Sequence, residues 1–284
     1  MNASTQNNLK TFMLLAGLTA AVLLLGLGIG NSKGLMIAAI FVVAMNVASY
    51  WFSDKIALKM NRAQPVSQQE APQLYSTVQH LAQRAGLPMP KLYITPDMQP
   101  NAFATGRDPQ HAAIAVTQGI LQMLSPAELE GVLAHEMSHI KHRDILISSI
   151  TATLAGILSF LPRLLWWFGG RDSSIGMVGR LAMWILAPIA AMMIQMMVSR
   201  SREFEADREG ARLCGRPVAL ADALRRLESG AQQIPMQANQ ATAHMYIVNP
   251  LRADGLKKLF SSHPPTSERV ARLEAMANNP GLME

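Results

Sequence analysis

The chain has 284 residues, of which 50% are hydrophobic and only 15% are charged. A soluble domain carries about 25% charged residues, so part of this chain is expected to lie in lipid. We attribute the net charge of +6 to Lys and Arg at the inner ends of membrane spans. Neither a basic patch nor a nucleic-acid-binding fold is visible, so no nucleic-acid partner is expected. The single cysteine, Cys214, excludes an internal disulfide and a cysteine-based zinc site.

Four uncharged apolar stretches approach the length of about 20 residues that a helix needs to cross a membrane. They predict two transmembrane hairpins, residues 11–52 and 145–199. The first stretch could instead be a cleaved signal peptide, but a second span follows almost at once, and we interpret it as an anchor. The last two could form a buried hairpin of a soluble domain, but Trp166 and Trp167 favour a membrane interface. The stretches are Phe12–Gly30, Gly34–Phe52, Ile145–Pro162 and Leu181–Ser199.

Lys and Arg near the ends of these spans are unequally distributed between the two sides of the membrane. The side richer in them is the cytoplasmic one, so both termini and the polar segments 53–144 and 200–284 are expected in the cytoplasm. These two segments can then fold together as one domain. The richer side carries Lys10, Lys55, Lys59, Arg62, Lys141, Arg143, Arg200, Arg202, Arg208 and Arg212. The other side carries Lys33, Arg163, Arg171 and Arg180.

The polar segments carry the signals of an α+β domain with a small sheet. Segment 230–260 has no clear period and is predicted to be a loop. Apolar periodicity and turn residues predict strands at Lys91–Thr95, Ala102–Thr105 and Ala112–Val116. They predict helices at Ala71–Ala85, Pro126–His142, Arg202–Leu213, Pro217–Leu227 and Thr266–Ala277.

The helix predicted at Pro126–His142 has the clearest start signal in the chain. Ser125 suits the N-cap, Pro126 the first helical position, and Glu128 completes a capping box. The helix should present one buried face, because apolar residues recur at three- and four-residue spacing. These are Leu129, Val132, Leu133, Met137 and Ile140.

This helix carries the sequence His135-Glu136-Met137-Ser138-His139. Residues four apart lie on one face of a helix, so both imidazoles can reach one metal ion. Glu136 can then hold a metal-bound water and act as general base. The third ligand must come from elsewhere, because Ile145 stands where the metzincin motif would place a third histidine.

The third ligand is predicted on the helix at Arg202–Leu213. Glu203 and Asp207 share one face of that helix, whereas Glu205 points elsewhere. Glu203 can bind the metal, and Asp207 can accept a hydrogen bond from a metal-bound histidine and fix its tautomer. Two histidines, one carboxylate and one open position form a catalytic zinc arrangement. Zinc suits these ligands, so one Zn²⁺ per chain is predicted.

At these residues the chain resembles the HtpX family of bacterial membrane metallopeptidases, relatives of the CAAX prenyl endopeptidases and the OMA-type proteases. The resemblance implies a zincin-like (gluzincin) catalytic domain on the cytoplasmic face of the bacterial inner membrane. It also implies hydrolysis of peptide bonds in membrane-associated or misfolded proteins, as stress response and protein quality control. Besides the spans, the matching segments are Asn101–Gly106, His135–His139, Ser201–Asp207 and His263–Arg269.

The resemblance also implies roles for residues outside the metal motif. His263 resembles a family histidine that donates to the oxyanion, although it could simply precede a helix. Arg269 could pair with an acidic residue near the site. One short segment resembles the edge strand that pairs with a substrate backbone by strand addition, although an ordinary edge strand would look the same. Its residues are Asn101, Ala102, Phe103 and Ala104.

Three other functions remain as alternatives. An intramembrane protease would bury the motif within a span, but the flanking segments 125–130 and 141–144 are too polar for that depth. A CAAX-type prenyl-protein protease would need a large enclosed chamber, for which four spans look too few. A non-catalytic, zinc-bound scaffold or chaperone would have no use for Glu136.

Overall fold

The computed structural model describes residues 3–169, 200–236, 241–250, 264–279 and 281 of the chain. This part is mainly helical with a small sheet, and each element predicted in the polar segments is present. Its helices are α1 (Ala3–Met60), α2 (Pro72–Ala85), α3 (Gln118–Met123), α4 (Pro126–Lys141), α5 (Asp144–Gly169), α6 (Arg200–Cys214), α7 (Pro217–Gln233) and α8 (Thr266–Asn278). Its strands are β1 (Gln64–Pro65), β2 (Lys91–Thr95), β3 (Ala102–Gly106) and β4 (Ala112–Thr117). The sequence did not predict β1 and α3, because segments this short show no period.

Helix α1 reverses its direction near Asn31, which has a φ of 48° in the left-handed region. Side chains 27 positions apart meet across the reversal, where Asn46 Nδ2 donates to Thr19 Oγ1 at 3.0 Å. In a straight helix these residues would lie about 40 Å apart. α1 is therefore a helical hairpin. Its arms contain Thr11–Gly28 and Asn31–Met60, two stretches with the length and hydropathy to cross a membrane.

The prediction of four membrane spans is not confirmed, because the described residues contain only two candidate spans. The first half of α5 packs against α1 and β3, and its side chains are buried in protein, including Ile147, Ile150 and Leu154. Protein burial therefore accounts for the apolar start of the third predicted span. The fourth predicted span, residues 181–199, lies outside the described residues.

The sheet in the described part of the chain has the strand order β1-β2-β4-β3. β2 runs parallel to β4, and β3 runs antiparallel to it, with Ala102 opposite Val116 and Ala104 opposite Ile114. β3 is therefore an edge strand, and it contacts α4 and α5. Ala102 and Ala104 are buried in the same core cluster as Leu133 and Met137 of α4.

Helix α4 lies at the centre of the fold and begins at the predicted capping box. Ser125 Oγ accepts from the Glu128 N–H at 3.4 Å, and the Glu128 carboxylate accepts from the Ser125 N–H at 2.7 Å. The prediction of a single buried face was wrong, because residues 131–138 are all buried. α4 packs against α2, β3, α6 and α7. Its polar residues, including Ser138, are therefore enclosed as completely as its apolar ones.

Helix α6 approaches α4 closely at Gly210. A Cβ atom at Gly210 would lie 2.9 Å from both the backbone nitrogen and the Cα of His135. Real Cβ atoms do not come this close to backbone, so only glycine fits without moving one of the helices. The distance between the helices at His135 therefore depends on Gly210.

Replacing Gly210 with alanine should push α6 away from His135. We expect the free energy of unfolding to fall by about 1–3 kcal/mol, as overpacking of a filled interior does, and the affinity for zinc to fall with it. Thermal unfolding in detergent and a zinc titration would measure both. Gly17→Ala is the control, because a Cβ there meets no atom within 4 Å. Equal stability and zinc affinity in the two variants would contradict this account.

Candidate metal centre

Three side chains from two helices converge at the predicted metal site. His135 Nε2 and His139 Nε2 on α4 lie 3.1 Å apart. The Glu203 carboxylate on α6 lies 3.9 Å from His135 Nε2 and 3.7 Å from His139 Nε2. All three ligand atoms lie within 4.8 Å of one another. One ion about 2 Å from each atom, the usual length of zinc bonds to nitrogen and oxygen, fits between them.

Asp207 lies beside the Nδ1 atom of His135. Its Oδ1 lies 3.0 Å from His135 Nδ1, so the proton belongs on Nδ1 and Nε2 faces the metal site. Burial raises the pKa of Asp207, but the guanidinium of Arg269 more than offsets this and lowers the pKa to about 2. Burial also lowers the pKa of His135 to about 4, so this imidazole is neutral and ready to bind a metal.

Arg269 on α8 holds Asp207 through two hydrogen bonds. Its Nε donates to Asp207 Oδ2 and its Nη2 donates to Asp207 Oδ1, both at 2.7 Å. Only 1% of Arg269 is exposed. The pairing of Arg269 with an acidic residue near the site was raised by the sequence, and the structure identifies that residue as Asp207.

Asp144 orients the second histidine, a contact that the sequence did not predict. Asp144 Oδ2 lies 2.9 Å from His139 Nδ1, and Asp144 Oδ1 lies 3.7 Å from Arg202 Nη1. Asp144 returns toward His139 because Arg143 has a φ of 60°, which turns the chain between α4 and α5. The available signal was an aspartate shortly after the second histidine, at a helix break. Periodicity along one helix cannot reveal such a contact.

The pKa of His139 responds to opposing effects. Burial alone lowers it, but the hydrogen bond to Asp144 and the charge of Glu203 raise it, and together they bring the pKa to about 9. Without a bound metal, His139 is therefore protonated at neutral pH and balances part of the negative charge of its carboxylate neighbours.

Glu136 lies beside the metal site, with only 2% of its surface exposed. Burial raises its pKa to about 7, which is the range that suits a general base at neutral pH. The backbone N–H of Ala104 on β3 acts in the opposite direction and lowers this pKa. Glu136 therefore lies between the metal ligands and the edge strand β3.

The structure places the predicted substrate strand in β3, but its outer edge is covered. The N–H of Ile247 donates to the Ala102 carbonyl at 3.0 Å, and Asn101 Nδ2 donates to the Val248 carbonyl at 2.7 Å. Residues 101–104 are all buried. Their binding of substrate remains a prediction. His263, the predicted oxyanion donor, lies outside the described residues.

His135, His139 and Glu203 lie around one point and could hold a metal ion, with the buried carboxyl group of Glu136 beside them. Residues 68–277 match Peptidase family M48. The chain therefore belongs to peptidase family M48.

Relatives of nearly the same length support this membership. The chain is 51% identical over 279 residues to a protein named Protease HtpX homolog from Pelotomaculum thermopropionicum, covering 95% of this chain and 99% of the relative. It is 54% identical over 277 residues to a protein of the same name from Ralstonia pickettii, covering 95% and 97%. The predicted resemblance to the HtpX family is confirmed. The protein is a membrane metalloprotease, and neither the prenyl-protein protease nor the scaffold alternative is favoured.

A solved structure shows the same fold. The chain is similar to Ste24p from S. mikatae, with a TM-score of 0.53 and 21% sequence identity. The similarity covers 96% of this chain and 66% of that one.

Replacing Asp144 with asparagine should weaken metal binding by about 10- to 100-fold, as loss of a histidine's carboxylate partner does. The asparagine side chain has nearly the same shape but no charge to hold His139 Nδ1–H. Asp108→Asn is a matched control, because Asp108 pairs with the exposed His111 at 2.7 Å away from the site. Competition with a fluorescent zinc chelator would measure both variants. Unchanged affinity in Asp144→Asn would remove Asp144 from the metal centre.

Zinc affinity should rise with pH up to about pH 9. Metal ligands must be deprotonated to bind, and His139 carries a proton below its pKa of about 9. Between pH 7 and pH 9, zinc must displace this proton, so the apparent affinity should rise about tenfold per pH unit and then level off. Calorimetric titration in two buffers of different ionisation enthalpy should show release of about one proton per zinc at pH 7. A pH-independent affinity would contradict the protonated state of His139.

Proposed function

We propose that this metalloprotease is zinc-dependent and cleaves membrane-associated or misfolded proteins on the cytoplasmic side of the bacterial inner membrane. The observation that carries the proposal is the convergence of His135, His139 and Glu203 beside the buried Glu136. Two nitrogen ligands and one carboxylate leave one coordination position of a tetrahedral zinc ion for water or substrate, as catalytic sites require.

Each residue of the site has a distinct task in this proposal. Bound zinc supplies Lewis-acid polarisation of the scissile carbonyl and lowers the pKa of water. Glu136 takes the proton from the attacking water and delivers it to the leaving amine. Asp207 and Asp144 hold the protons on the Nδ1 atoms of the two histidines, so that both Nε2 atoms face the metal site. His263 is proposed to donate to the oxyanion, on the resemblance alone.

The position of the aromatic and basic residues of α1 supports a site near the membrane surface. Tyr50, Trp51 and Phe52 are exposed near the end of the second apolar arm, where aromatic rings mark a membrane interface. Lys55 and Lys59 follow directly and are also exposed. Basic residues on this side indicate the cytoplasm. The same end of α1 packs against the sheet through Ala57 and Leu58, which supports placing the proposed catalytic residues on this side.

Glu136→Gln should abolish cleavage and leave zinc binding intact. Loss of a general base costs a factor on the order of 10³ in turnover, while the three ligands are unchanged. Glu203→Ala should instead lower the zinc content. The assay follows cleavage of reduced, alkylated lactalbumin by the zinc-loaded protein in detergent, with metal content measured in parallel.

The matched control for this experiment is Glu130→Gln. Glu130 lies on the same helix but pairs with Arg216 at 3.0 Å, outside the site, and its loss should change neither quantity. Full cleavage by Glu136→Gln would refute its role as base. Full zinc content in Glu203→Ala would remove Glu203 from the ligands.

A further inference from the structure

Alternate residues of β3 direct their backbone groups away from β4, toward the outer edge of the strand. In an edge strand, successive residues direct their N–H and C=O groups to opposite sides. The Asn101 carbonyl accepts a hydrogen bond from the Thr117 N–H at 3.0 Å, so the backbone groups of Asn101 face β4. Ala102 and Ala104 therefore direct their backbone groups outward, toward the side on which α4 and the metal ligands lie.

A segment of the chain itself lies along this edge. We call residues 241–250 the strap. The N–H of Ile247 donates to the Ala102 carbonyl at 3.0 Å. The Asn101 side chain holds the next strap residue at both ends, because Nδ2 donates to the Val248 carbonyl at 2.7 Å and Oδ1 accepts from the Val248 N–H at 3.3 Å. Ile247 thus lies opposite Ala102 and Val248 opposite Asn101, so the strap runs antiparallel to β3.

The strap also reaches the residues of the metal centre. Arg269 Nη1 donates to the Ile247 carbonyl at 2.9 Å, and the same nitrogen lies 3.9 Å from Glu203 Oε2. Two positions further along the same edge, the backbone N–H of Ala104 is close enough to Glu136 to lower the pKa of its carboxyl group. Ile247 therefore lies between the edge strand and the metal ligands, with its N–H and C=O both bound.

We propose that strap residues 246–248 occupy the outer edge of β3 in the absence of substrate and must leave it before an extended polypeptide can bind there. A substrate residue in the place of Ile247 would offer its N–H to Ala102 and its carbonyl to Arg269. The Asn101 amide would hold the backbone of the neighbouring residue. All these contacts are made to the backbone of the substrate. This edge can therefore bind substrates of many sequences, provided that they are unfolded. This inference rests on the proposed function.

The strap is held by bonds that can be weakened without touching the metal centre. Thr242 Oγ1 donates to Asn61 Oδ1 at 2.9 Å, and the Tyr246 hydroxyl donates to the same oxygen at 3.2 Å. The Tyr246 ring also packs edge-on against Phe103, with 5.0 Å between the ring centroids. Asn61 directly follows α1, so these bonds join the strap to the end of the membrane hairpin.

The first test weakens this attachment with Thr242→Val combined with Tyr246→Phe, which removes both donors and keeps the shape of each side chain. If the strap competes with substrate, KM for reduced, alkylated lactalbumin should fall about tenfold while kcat stays the same, because a larger fraction of the protein is open. The matched control is Tyr75→Phe, which removes a hydroxyl bonded to the Val66 carbonyl at 2.8 Å, away from the strap. An unchanged KM, or the same change in the control, would overturn the proposal.

The second test does not depend on how the strap variants fold. Hydrogen exchange is measured in zinc-loaded Glu136→Gln, with and without the same unfolded lactalbumin. Substrate should speed up exchange of the Ile247 and Val248 amides, because they lose their partners on β3. Unchanged or slower exchange would overturn the proposal. If the unaltered chain cleaves lactalbumin and these amides stay protected, only the strap inference fails, whereas absence of zinc-dependent cleavage in the unaltered chain counts against the proposed function.

Discussion

The buried ion pair between Arg269 and Asp207 is the interaction on which the site depends. Arg269 joins α8 to α6 through Asp207 and reaches the strap through the carbonyl of Ile247. Its Nη2 also lies 3.5 Å from His135 Nδ1 on α4. Removing one partner of a buried pair leaves an uncompensated charge, at a cost of about 3–5 kcal/mol. One guanidinium therefore links four elements, α8, α6, the strap and α4, and helps to set the position of His135.

A divalent cation can balance the negative charge around the site. Glu203, Asp207 and Asp144 are acidic, and Glu136 adds a fourth carboxyl group. Among the basic groups, Arg269 faces Asp207 and Arg202 faces Asp144. Arg269 Nη1 also lies 3.9 Å from Glu203 Oε2, and the proton on His139 places a further positive charge beside Glu203 and Glu136 when no metal is bound. A divalent metal can replace this proton and balance both carboxylates.

Local signals in the sequence predicted the parts of the site that lie on single helices. The capping box of Ser125 fixed the start of α4, and four-residue spacing placed His135 beside His139 and Glu203 beside Asp207. Contacts between elements were harder to predict. Asp144 reaches His139 only because the chain turns at Arg143, and the strap reaches β3 across a long separation in sequence. Neither contact follows from periodicity.

The apolar sequence of α5 shows a second limit of prediction. Hydropathy measures how unfavourable it is to expose a side chain to water, and both the lipid bilayer and the protein interior exclude water. Ile147, Ile150 and Leu154 satisfy the composition of a membrane span, yet they are buried against α1 and β3. Length and composition alone therefore could not show that the first half of α5 packs inside the protein.

The order of the site residues along the chain also sets the order in which they become available during synthesis. His135 and His139 are made first, Glu203 and Asp207 follow after the rest of α5 and the segment beyond it, and Arg269 comes last. α4 is enclosed partly by α6 and α7, which are made later than α4 itself. A nascent chain that has not been translated as far as Arg269 therefore contains only some of these residues. The ion pair that holds Asp207 beside His135 can therefore form only after α8 has been translated.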